Sequence, residues 1–172
     1  MAGIPTNSEI RRNLTVGKEL RTTVGSNFSV EAFNQFVTDA RENLIVTVGI
    51  HEDAGSNNGV SIAEYAFYNE FGTTTIPERS FMRTTLDEKG TLIEETFQKL
   101  IARALAGKSN LYGALDTLGL FVSGLIQKKI TDIREPPNCP ATIKRKGSSN
   151  PLIDTGAMRQ AVSWKVRKDE EG

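Results

Sequence analysis

EYAFYNEFGTTTIPERSFMR, residues 64–83, contains the end of one helix, the start of another and the loop between them, and its reading decides the fold. Just ahead of it, Ser61 stands three residues before Glu64 in capping-box register. The hydroxyl is placed to accept from an orphan helix N–H, and the carboxylate to reach back. A short helix is therefore predicted over Ile62–Phe71, carrying Tyr65, Ala66, Phe67, Tyr68 and Phe71. Gly72 ends it, because glycine takes the positive φ that a helix C-terminus often needs. Thr73, Thr74, Thr75 and Ile76 are β-branched, and Pro77 biases Ile76 further toward extended backbone, so this segment is expected to project from the body. A second helix then starts at Phe81. Four of the twelve aromatics lie between Tyr65 and Phe71, which marks a packing hub in the core or against a partner.

Working outward, residues 1–27 are polar and read as an N-terminal arm with at most a short strand near Leu14–Val16. Ser29 caps a helix over Val30–Ala40, whose Ala32, Phe33, Phe36, Val37 and Ala40 recur at helical spacing. Residues 43–50 read as a strand, apolar on both faces and so expected to be central. His51–Gly59 is a polar loop. From Phe81 to Ala106 the apolar residues keep a period of three to four, interrupted by Gly90, where Thr91 and Glu94 offer a second capping box and a kink or restart is expected. After the turn at 107–110, Leu111, Leu115, Leu118, Val122, Leu125, Ile126 and Ile130 form another stripe. Two long helices joined this way should lie antiparallel over a sheet. Pro136, Pro137 and Pro140 stop helix formation, and 141–151 reads as an exposed basic loop or hairpin. Asp154 or Thr155 is expected to cap a short helix, and Val162, Trp164 and Val166 alternate as a last strand. The fold class is α+β: a small, mostly antiparallel sheet covered by two long helices, in one domain over 28–167, with projecting loops and a polar tail at 168–172.

At 172 residues, with Lys+Arg and Asp+Glu both 21, nothing overall draws the chain toward nucleic acid or anionic membrane. No apolar run approaches a membrane span, and no secretory h-region is present at the N-terminus. Cys139 is the single cysteine, so no internal disulfide forms, and a reducing compartment such as the cytoplasm is expected. His51 has no second ligand at zinc spacing. Cys139, with no histidine placed nearby, reads as an inert thiol. Leu152–Ala157, LIDTGA, matches the signature of retroviral-type aspartic proteases, yet only sixteen residues follow Gly156, too few for the rest of that fold. No dinucleotide, P-loop or nucleophile-elbow motif occurs. No catalytic, metal or cofactor site is expected.

Basic residues concentrate between Ile126 and Pro151, where Lys128, Lys129, Arg134, Lys144, Arg145 and Lys146 face only Asp132 and Glu135. Lys144, Arg145 and Lys146 are candidates for non-specific phosphate contact, against the commoner reading of a solvated loop.

The stretch 63–83 together with ITDIREPPNCPATIKRKGSSNPLIDTGAMRQAVSWKV (130–166) resembles the tail-completion or neck proteins of long-tailed bacteriophages, a family that includes the minor tail protein Z type and related virion-morphogenesis proteins. Matching residues in the first block are Glu70, Phe71, Gly72, Thr73, Ile76, Pro77, Arg79, Phe81 and Arg83. In the second they are Pro136, Pro137, Thr142, Lys146, Gly147, Pro151, Leu152, Asp154, Thr155, Gly156, Met158 and Val166. Where the family often has alanine, this chain has Glu78.

The resemblance implies a non-enzymatic α+β virion protein, assembled in the host cytoplasm into a ring, usually a hexamer, where tail meets head. Its partners would be copies of itself and neighbouring connector, adaptor and tail proteins. The first block is then the candidate interface, with Arg79 and Arg83 seeking carboxylates on Glu70 or on a neighbour. Arg79→Ala is expected to leave the monomer folded and weaken assembly. The alternative is a nucleic-acid-binding accessory protein acting through 141–151, and a hydrolase built on Asp154 trails far behind.

Overall fold

The computed structural model describes residues 29–169. The expected N-terminal arm and the end of the polar tail lie outside them. Helix α1, Val30–Ala40, begins at Ser29, whose hydroxyl accepts from the Ala32 N–H at 3.1 Å. Strand β1, Leu44–Ile50, follows a left-handed Asn43. A 3₁₀ turn at Glu52–Ala54 and a minimal hairpin of β2 (Ser56–Asn57) and β3 (Val60–Ser61) lead into α2, Ile62–Phe71. Then come α3 (Met82–Leu105), α4 (Leu111–Asp132), α5 (Pro140–Lys146), α6 (Ala157–Gln160) and β4 (Val162–Lys168). The α+β architecture is the expected one.

β1 and β4 pair antiparallel from Leu44 opposite Lys168 to Ile50 opposite Val162. Among the described residues β1 has no second neighbour, so the strand expected to be central stands at an edge. Its apolar character has another cause: α4 lies across one face, with Val48 and Ile50 in the core, and the start of α3 reaches the other, where the Met82 side chain approaches Gly49. Trp164, opposite Val48, lies so close to Gly119 of α4 that a Cβ there would stand 2.4 Å from the indole Cδ1. The indole N–H donates to Asp116 at 2.8 Å.

α3 and α4 run antiparallel, as the ion pair between Glu88 near the start of one and Lys129 near the end of the other shows. α3 is helical straight through Gly90, so the expected kink or restart is absent. Gly90 is exposed with open space around it, and the local cost of about 1 kcal/mol is carried by the helix on either side. The core gathers Ile62, Ala66, Phe81, Val122, Ile126, Ile130, Leu152, Met158 and Val162. Its residues come from α2, α4, α6, β4 and the loops, so no single layer holds it alone.

The segment 140–146 is a helix, not a loop. Pro140 occupies its first turn, where the missing N–H is no loss, and Gly147 closes it at φ 69°. Asp154 does not cap α6: the cap position falls to Gly156 at φ 84°, with no side-chain cap bond. Thr155 comes nearer to the expectation, its hydroxyl accepting from the Ala157 N–H at 3.3 Å and from the Asn57 amide at 3.1 Å. No described helix is long and apolar enough to cross a membrane.

Candidate functional site

The block from Glu70 to Arg83 folds as one hydrogen-bonded unit. α2 starts with half of its capping box: Ser61 accepts from the Glu64 N–H at 3.4 Å, while the Glu64 carboxylate takes the Tyr68 hydroxyl instead of reaching back. At its other end Gly72 has φ 74° and ψ 168°, backbone open essentially only to glycine. The next residues do not extend. The Thr73 N–H donates to the Ile76 carbonyl at 2.7 Å, and the Thr73 hydroxyl accepts from the Thr75 and Ile76 N–H groups. A hydroxyl that satisfies backbone donors two and three residues on closes a turn, and this outweighs the β-branched preference for extension.

Glu70, only 4% exposed, is the centre of this unit. Its two oxygens accept from the N–H groups of Phe81, Met82 and Arg83 at 2.8, 2.8 and 3.0 Å. They also take the Ser80 hydroxyl at 3.0 Å and Arg83 Nε at 3.2 Å. Phe81, at the cap position of α3, has no side chain able to cap, so the carboxylate from the end of α2 supplies the negative charge that the N-terminus of α3 needs. Arg83 thus finds a carboxylate, as expected, and a second in Glu78 at 2.8 Å. Its guanidinium also lies over the Phe71 ring, 4.5 Å from the centroid.

Arg79 behaves otherwise. It is 5% exposed and, among the described residues, meets no carboxylate. Nε donates to the Pro136 carbonyl at 2.7 Å and Nη2 to the Pro137 carbonyl and Asn138 Oδ1, while Nη1 lies 3.4 Å from Asn69 Oδ1. Burial pushes its pKa down. The candidate interface residues therefore divide. Glu70, Arg79 and Phe81 are interior, whereas Phe71, Thr73, Pro77 and part of Arg83 face outward, with Gly72 and Ile76 between. Phe67, unnoticed as a surface residue in the sequence, is 58% exposed and packs on Phe71 with centroids 4.7 Å apart. The signal was its i, i+4 spacing from Phe71.

Of the basic candidates, Lys144 and Arg145 are exposed at the end of α5. Lys146 is half-buried, and its ammonium donates to the Asn150 and Pro151 carbonyls. Burial lowers its pKa, partly offset by Asp154. Asp154 faces the same side as Arg145 and Lys146, across an open cleft of about 780 Å³ that also reaches Arg79. Cys139, exposed at the start of α5, has its thiol pKa lowered by the Thr142 hydroxyl 3.2 Å away and by backbone N–H groups.

His51 bridges the two long strands: Nδ1 lies 3.0 Å from Ser163 Oγ and Nε2 3.2 Å from Thr47 Oγ1. Burial and the Lys165 ammonium lower its pKa. No group of three or more His, Cys, Asp or Glu side chains among the described residues is placed to hold a metal. Compared with known proteins, the chain matches no family model, no curated protein and no solved structure.

Proposed function

We propose that the protein is a structural virion component of the neck or tail-completion type, without enzymatic activity, forming a ring with copies of itself where a long-tailed phage head meets its tail. One observation carries this reading. Arg79 ties the two separated blocks of the resemblance together, binding Pro136, Pro137 and Asn138 from a position between Glu70 and Phe81. The polar atoms of this network are spent on backbone groups and neighbouring side chains of the fold itself. Glu70 holds the start of α3 and Arg79 holds the chain after α4, as suits a scaffold that presents loops rather than a centre that turns over substrate.

The nucleic-acid alternative has less behind it. Of its three cations Lys146 is engaged by two carbonyls, leaving Lys144 and Arg145 as the solvated pair. Negative-stain images of the purified chain test the proposal, together with its ability to complete tail-less particles. Rings and completed tails are expected. A chain that stays monomeric at every concentration and does not restore tails overturns it.

A further inference from the structure

Among the described residues, Arg79 is a buried cation that meets no carboxylate. Its partners are three neutral carbonyl-type oxygens from Pro136, Pro137 and Asn138 and the amide oxygen of Asn69. Dipoles of this kind orient a guanidinium but leave its charge uncompensated, and an uncompensated charge away from water is unfavourable. The same cleft is lined by Arg145 and Lys146, and Asp154 is the only carboxylate among its described lining residues. Three cations thus face one anion. Val60, Ile76 and Pro77 supply apolar wall between them. A recessed, partly apolar cleft with excess positive charge fits an extended, carboxylate-bearing polypeptide. It fits a nucleic-acid backbone poorly, because Lys144 lies off the cleft and apolar wall separates the cations.

The densest acidic run in the chain is Asp169-Glu170-Glu171, directly after β4. That strand ends beside α1: Lys168 pairs with Glu42, and the Asp169 N–H donates to the Asn43 carbonyl. The N-terminus of α4 is at this same end, since the Leu111 N–H donates to Asp39 of α1. The cleft lies at the other end, where the chain leaves α4 through Pro136 and Pro137. The 22 residues of α4 put about 33 Å between the two ends. Two residues beyond Asp169 span at most about 7 Å. Asp169 is therefore too far from the cleft of its own chain for a two-residue extension to cover the distance.

We propose that the cleft receives Glu170 and Glu171 of a second copy of this chain. The proposal rests on the ring reading above and gives it a contact. The contact joins opposite ends of two identical chains; propagated in one direction it is heterologous and closes into a ring or runs on as a filament, whereas reciprocal exchange would stop at a dimer.

Sedimentation velocity on the 172-residue chain tests it. Arg145, exposed at the cleft, is reversed in R145E, and the acidic run in E170K/E171K. Each variant alone is expected to associate at least about tenfold more weakly than the wild type, with the melting temperature unchanged. Mixed in equal amounts the two leave one intact cleft and one intact acidic run, so they should form pairs and nothing larger. If the wild type assembles and E170K/E171K assembles equally well, the contact is overturned while the ring reading stands. If the mixture forms no pairs, the contact is likewise overturned. A wild type that is monomeric throughout overturns both.

Discussion

The Glu70 carboxylate accepts the backbone N–H of Phe81 at 2.8 Å, so the last turn of α2 caps the first turn of α3 across an eleven-residue separation. The loop between them is held at both ends, by Gly72 at its start and by this carboxylate at its close. Phe81 itself is fully buried in the core. The cap and the core are therefore coupled, since losing one shifts the other.

Glu70→Ala should leave the N–H groups of Phe81, Met82 and Arg83 without an acceptor. The expected loss is about 3 kcal/mol, since several donors to a charged group are orphaned together. Glu70→Gln keeps one acceptor oxygen and should lose less. Urea melts of the two variants beside the wild type check this. Equal and small losses from both would show that water replaces the carboxylate.

Gly119→Ala should destabilise although alanine is the better helix former, because its Cβ would meet the Trp164 ring at 2.4 Å from Cδ1. A cost of about 1–3 kcal/mol is expected from this overpacking. Trp164→Leu in the same chain should relieve part of it. A double-mutant cycle on thermal melts measures the coupling between the two positions.

Much of the fold was legible because periodicity was strong. α1, α2, α4, β1 and β4 fall where the apolar spacing placed them, to within a residue or two. What was lost involves contacts distant in sequence. Nothing local marks Glu70 as a cap for a helix that starts after the following loop, or Arg79 as the clamp on Pro136–Asn138. Three prolines hid α5, although Pro140 followed by helix formers and Gly147 fits a short helix with proline in its first turn. At Asp154 a good capping residue was present, but Gly156 took the cap position. Asp154→Ala and Asp154→Asn are accordingly both expected to shift the melting temperature by less than about 1 °C. A loss of several degrees in the alanine variant alone would restore the capping role.

His51 is the single histidine, so its titration is directly readable. Burial lowers its pKa, Lys165 and Arg167 act in the same direction, and Asp53 opposes them. The unfolded chain therefore binds a proton at His51 before the folded chain does. This group makes no demand on stability above the ordinary histidine pKa of about 6.5, and costs stability as the pH falls below it. NMR titration should give a midpoint below that value, and His51→Gln should lose less stability than the wild type on acidification. A midpoint above it would place the ring in solvent beside Asp53.

Arg79 is where sequence and structure part most sharply. Read from the sequence, Arg79→Ala leaves the monomer intact and weakens assembly. In the structure the side chain is buried and holds the backbone after α4 by two carbonyls and an amide, so its removal should unfold before it disassembles. A loss of about 3 kcal/mol is expected from the four acceptors left behind in a buried site. Arg79→Lys should lose nearly as much, because one ammonium does not reproduce the planar fork that spans Pro136, Pro137 and Asn138. Arg83→Ala makes the contrast. Its side chain is 49% exposed, and the backbone donors on Glu70 survive its loss, so a much smaller loss is expected. Melts and sedimentation profiles of the three variants, run side by side, decide the matter. An Arg79→Ala chain that melts like the wild type and only fails to assemble would return this residue to the surface role its sequence suggested.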